Sequence, residues 1–247
     1  MALNELQLHG DFETLDRRID ELLASKQVTD LYRAVLSRLA SEHDRSGKGC
    51  VKLFFSTLWA SRRGLLQQEL EEIFMQHGLL EEVNTLMAAT EDLIFSSGGV
   101  LAFVNDKLGV AVQEFFLPEQ QEQKFAHETL ANFFASRVAA GTCQGPRDAQ
   151  ELAWQLEQCQ LTERLRELIA GVDVFMQLSA TDDSRTDLMR WWRTLSRQAD
   201  IKEAFKAMLD AHVLDVTTRL GAESISSKTF LQAAYFLEKD SKRYSYK

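Results

Sequence analysis

At 247 residues, 45% hydrophobic and 26% charged, the chain has the size of one large or two small domains and an ordinary globular composition, which excludes disordered and fibrous classes. A formal net charge of −9 sets its average field against nucleic-acid phosphates and anionic lipid, so neither nucleic acid nor a membrane is an expected partner unless a local basic patch reverses the field. Two prolines and 12 glycines leave few obligatory breaks between stretches rich in Leu, Glu, Gln, Ala and Arg, which lose little rotamer freedom in a helix, and the expected class is mainly α.

The first elements are amphipathic. Phe12, Leu15, Ile19, Leu22 and Leu23 fall at helical spacing with Asp16, Arg17, Arg18 and Asp20 between them. Thr29 is placed to cap a second helix, which carries Tyr32, Val35, Leu36 and Leu39 along one stripe before His43–Gly49 (HDRSGKG) breaks it. The pattern then changes. Val51–Ala60 (VKLFFSTLWA) is apolar nearly all round and is expected to be buried, Arg62, Arg63 and Gly64 end it, and helices follow at Gln67–Met75 and Leu79–Ala88. Asp92–Phe95 and Val100–Phe103 flank Ser96-Ser97-Gly98-Gly99, where glycine supplies the positive φ of a hairpin turn. Three helices followed by a hairpin is the order of a winged helix.

Downstream, Asp106 is placed to cap a helix that Pro118 closes, and Glu119–Val138 carries Phe125, Leu130, Phe133 and Phe134 as the apolar stripe of a longer one. Ala139–Pro146 (AAGTCQGP) reads as a loop. Helices are expected at residues 148–158, 161–169, 184–197, 201–220 and 227–239, joined by short polar turns into stacked antiparallel hairpins. Hairpins of roughly 30 to 40 residues are the unit of tetratricopeptide arrays, so the second half reads as the start of a TPR-like superhelix. The expected division is a helical lead-in at 1–48, a winged-helix unit with a small β-hairpin at 49–118, and a helical hairpin stack at 119–247.

Chemical motifs are sparse. No P-loop, GxSxG, HExxH or paired CxxC occurs, and SGKG at Ser46–Gly49 lacks the preceding strand and spaced glycine of a phosphate cradle. His9, His43, His77, His127 and His212 are scattered, and none pairs at the i, i+4 spacing of a helical metal site. Cys50, Cys143 and Cys159 are odd in number and far apart, which fits a reduced, cytoplasmic compartment; Cys143 has no histidine near it to act as base. Met1–Asp11 has neither the basic start nor the apolar run of a signal peptide, and no stretch reaches the roughly 18 consecutive apolar residues of a membrane span. Glu69, Glu71, Glu72, Asp182 and Asp183 read as solvated faces rather than a catalytic pair.

Two further features bear on function. The third helix of the winged-helix order is flanked by Glu81, Glu82, Glu91 and Asp92, with only Asn84 and Thr85 to read bases, and those carboxylates oppose a phosphate backbone. Trp191 and Trp192 point about 100° apart on a helix, so one is expected in the core and the other partly exposed, either as contacts to two neighbouring helices or as a partner hot spot.

Leu58–Phe74 (LWASRRGLLQQELEEIF) resembles the winged-helix entry of NACHT-type STAND ATPases, where an apolar helix runs through an arginine-glycine turn into an acidic helix. LHGDFETLDRRIDELLA and YRAVLSRL before it, and LAFVNDKLGVAVQEFFLP and HETLANFFA after it, occur in the same order. ELAWQLEQC at Glu151–Cys159 and DLMRWWRTL at Asp187–Leu195 resemble the helical linker that precedes tetratricopeptide repeats in nephrocystin-like proteins. The resemblance implies a segment downstream of a nucleotide-binding core, with a P-loop ATPase upstream and a repeat array beyond, so that ATP or ADP would reach it only through that missing core. It also implies that the Met-His-Asp-like position, whose histidine senses the β-phosphate, falls on Val104-Asn105-Asp106. Asn105 can donate a hydrogen bond there but carries no imidazolium charge, and Asp106 is suited to capping its helix.

The resulting expectation is a non-catalytic regulatory and protein-interaction segment that holds no cofactor of its own. A nucleotide-dependent switch component working with an ATPase core on another chain, and a winged-helix DNA-binding regulator, are the alternatives. Exposed apolar faces are expected on the first and last helices.

Overall fold

The computed structural model describes residues 27–44, 47–141 and 145–196. They form ten helices and three short strands, in the order α1 (Val28–His43), α2 (Cys50–Ala60), β1 (Leu65–Leu66), α3 (Gln67–Gln76), α4 (Leu80–Ala89), β2 (Ile94–Ser97), β3 (Val100–Phe103), α5 (Asp106–Phe116), α6 (Gln120–Ala139), α7 (Pro146–Gln158), α8 (Thr162–Ala170), α9 (Val172–Ser179) and α10 (Asp182–Ser196). The described residues are mainly α with one small antiparallel sheet. The expected helices before residue 24 and after residue 200, with their exposed apolar faces, lie outside the described residues.

The chain divides into two compact units, Met1–Ala135 and Ser136–Lys247. In the first, short-range chemistry sets the helix ends. α1 starts one residue before Thr29, so Gln27 and not Thr29 is its N-cap, and the Asp30 carboxylate of the first turn reaches back to accept from the Gln27 N–H at 3.1 Å. The Asp44 carboxylate accepts from the Gly49 N–H at 2.7 Å and holds the turn that leads into α2. Glu69, expected in water, is buried; its carboxylate accepts from the Leu66 N–H at 2.7 Å and fixes the start of α3.

The sheet has the order β1-β3-β2, both pairings antiparallel, with Leu65 opposite Leu101 and Ser97 opposite Val100. The hairpin matches its sequence signal, whereas β1 was not anticipated. Its two residues offer no alternation to read, and what places them is Gly64 just before, where φ is +79° and an added Cβ would lie 2.3 Å from the Leu101 carbonyl oxygen. Only glycine lets the backbone come this close to β3.

The core of this unit is aromatic. Phe55 stacks on Phe103 at 6.3 Å and on Phe116 at 6.0 Å, and Phe54 meets Phe74 edge-on at 6.3 Å. Leu36, Leu39, Leu70, Val83, Leu86, Leu108 and Val112 close around these rings. Phe125 departs from its expected place: it is 62% exposed, while Ala126, Leu130, Phe133 and Phe134 are buried. The buried residues follow i, i+4, i+7 and i+8 spacing, and Phe125 lies about 100° off that stripe.

In the second unit α7, α8, α9 and α10 pack on one another. Pro146 sits in the first turn of α7, where its missing N–H costs nothing. α9 was expected as a turn. Val172 and Val174 weaken its intrinsic helix preference, but burial of Val174, Phe175 and Leu178 against its neighbours secures it.

Candidate functional site

Asn105 follows β3 in extended conformation and is the N-cap of α5: its side-chain oxygen accepts from the Leu108 N–H at 3.1 Å. Capping therefore falls to Asn105 and not to Asp106, which occupies the first helical position and is exposed there. The Asn105 amide donates to the buried Tyr32 hydroxyl at 2.6 Å, 73 residues earlier in the chain. Arg33 pairs with Glu114 at the same junction, so α5 is held to α1 at two points. Both polar ends of Asn105 are engaged within the chain. Tyr32 was legible only as an apolar-stripe residue, because nothing local marks a bond across that sequence distance.

On α4, Glu81, Asn84 and Thr85 are exposed, and Glu82 pairs with Lys48 at 3.2 Å. Glu91 and Asp92 are also exposed, next to a hairpin whose Phe95 is 58% exposed. The face that a recognition helix would turn to DNA thus carries carboxylates and no cation of its own.

In the second unit Trp191 and Trp192 are both buried, contrary to the expectation that one would face solvent. α10 packs on α7, α8 and α9, so rings about 100° apart each find a covered side. Glu157 of α7 gathers the local charge. It accepts from Arg190 through both oxygens at 2.6 and 2.8 Å and from the Trp191 ring N–H at 3.0 Å, while the Arg190 guanidinium lies 5.3 Å from the Trp191 ring centre. This clasp holds Trp191, and the packing of α10 covers both rings. Its members are 33 and 34 residues apart and gave no periodic signal.

Polar pairing continues through the same unit. The Asp148 carboxylate, 1% exposed, receives Arg137 at 3.1 Å, and the Gln150 amide donates to Asp187 at 3.3 Å. Glu151 accepts from Gln155 at 2.8 Å, and both are buried. The first two tie α7 to α6 and to α10 and the third lies within α7, and none brings a nucleophile, base and open cavity to one place.

Among the described residues no group of three or more His, Cys, Asp or Glu could hold a metal ion. Cys50 is buried, and burial, aided by the nearby Asp44 charge, pushes its thiol up, the wrong direction for a nucleophile. Cys159 is buried as well, and Cys143 and His9 lie outside the described residues. No described helix is long and apolar enough to cross a membrane.

No family model and no solved structure matches this chain. Over 235 residues, 95% of its length, it is 27% identical to a TPR repeat-containing protein of Dictyostelium discoideum. The chain spans 14% of that relative's length. The likeness runs through both compact units and agrees with a largely helical chain.

Proposed function

We propose that the chain is a non-catalytic helical module for protein interaction, related to the regulatory region downstream of the nucleotide-binding core in NACHT-type STAND ATPases and leading into a TPR-like stack. The observation that carries this reading is the similarity over 95% of the chain to a TPR repeat-containing protein, together with the four helices that pack on one another among the described residues of the second unit. Helical stacks of this kind offer extended surfaces to protein partners. The order α2, α3, α4 and then a hairpin, with β1 added to its far edge, supports a winged-helix assignment within residues 49–118. In this reading residues 1–48 are a helical lead-in, 119–247 the hairpin stack, and the compartment is the cytoplasm.

The winged helix serves packing rather than DNA reading, in keeping with the acidic face of α4. Asn105 serves as cap and clasp, in keeping with its two engaged polar ends. Any ATP or ADP would then act through a separate core. Titrating the full chain with fluorescent ADP and ATP tests this: no saturable binding is expected up to millimolar nucleotide, and micromolar binding by this chain alone would overturn the reading.

A further inference from the structure

A groove of about 760 Å³ opens between α2 and α6, within the range of pockets that hold small molecules. Leu53 and Ser56 belong to its α2 wall and Phe125 and Thr129 to its α6 wall, and the turn between α3 and α4 contributes the remaining side. Ser56 is only 6% exposed, and its hydroxyl has no hydrogen-bond partner. The next residue shows the usual resolution: the Thr57 hydroxyl donates to the Leu53 carbonyl at 2.8 Å. A buried hydroxyl left unbonded costs free energy that a ligand atom with a lone pair or a proton would recover.

The groove's shape selects the occupant. Lys52 on α2 and Glu122 on α6 join at 2.6 Å and tie one wall to the other. A partner helix, about 10 Å across, could lie along the groove only by breaking that link, which a compact molecule leaves in place. Phe125, 62% exposed at the wall, offers an aromatic surface for such a molecule to cover. We propose that this groove binds a small, largely apolar molecule with one hydrogen-bonding head group, which the Ser56 hydroxyl engages by rotating about its Cα–Cβ bond from its enclosed position toward the groove. The site is independent of the protein-interaction reading, because the groove lies wholly within the first unit.

The test uses the full chain and 6-propionyl-2-dimethylaminonaphthalene, a neutral fluorophore whose apolar rings carry one ketone acceptor. Wild type gives saturable one-site binding with blue-shifted emission. Ser56→Ala, which keeps the fold and removes the hydroxyl, weakens binding about three- to tenfold. Thr129→Trp fills the groove from the opposite wall and abolishes binding while far-UV circular dichroism is unchanged. Absence of saturable binding to wild type, wild-type affinity in Ser56→Ala, or retained binding in a folded Thr129→Trp would each overturn the proposal.

Discussion

The two units solve the problem of burial in different ways. In the first, the large buried side chains are phenylalanines, and most buried polar groups are satisfied within their own turn: Thr57 bonds to Leu53, Thr90 to Leu86, and Glu69 to Leu66. In the second, local bonds such as Gln155 to Glu151 are joined by polar contacts that reach between helices, as Arg137 with Asp148, Gln150 with Asp187, and Glu157 with Trp191. A core of the first kind is specified by shape and loses stability in proportion to the volume removed. A core of the second kind contributes little net stability while intact, yet is costly when one partner of a pair is lost.

The contrast can be broken by substitution. Phe55→Ala removes the ring stacked on both Phe103 and Phe116 and should destabilise the first unit by about 3–5 kcal/mol in denaturant unfolding. Arg137→Met leaves the Asp148 carboxylate buried without its cation and should cost about 3 kcal/mol in the second unit, while the double variant Arg137→Met, Asp148→Leu recovers most of that loss. Tryptophan fluorescence separates the two responses, since Trp154, Trp191 and Trp192 report on the second unit and Trp59 on the first. A double variant as unstable as the single one would show that the pair is not what specifies that core.

Smaller effects sharpen the picture of the first unit. Gly64→Ala drives a Cβ into the Leu101 carbonyl oxygen at a positive φ and should cost about 2 kcal/mol, read as a lowered midpoint with an unchanged slope. Asn105→Ala removes a cap and the bond to Tyr32 and should cost about 1–2 kcal/mol; Asp106→Ala, which touches no cap, should stay within about 0.5 kcal/mol. Equal losses at the two positions would contradict the assignment of the cap.

Most helices and the hairpin were legible in the sequence, because each carries its own periodicity and turn residues. α2, apolar nearly all round, read as buried and is; the turn read at Ser96–Gly99 is shorter, since Ser96 and Ser97 pair with Leu101 and Val100 as the end of β2 and Gly98-Gly99 alone joins β2 to β3. What escaped were features fixed by distant partners. β1 exists because β3 pairs with it, α9 because its neighbours cover Phe175 and Leu178, and the burial of both tryptophans because α10 is enclosed on several sides. Phe125 failed for a different reason: it was grouped with Leu130, Phe133 and Phe134 by its aromatic character, although helical spacing sets it well off their face, which Ala126 completes instead. At the candidate site, position 105 was singled out by the family resemblance, but its tie to Tyr32 was not legible.

The central claim, a module that works by binding protein and not by catalysis, is tested most directly by analytical ultracentrifugation. The full chain would be mixed with the purified protein that it enriches most strongly from a cell extract. The account predicts a discrete complex of fixed stoichiometry that forms without added nucleotide. Two species sedimenting independently at micromolar concentrations would contradict it.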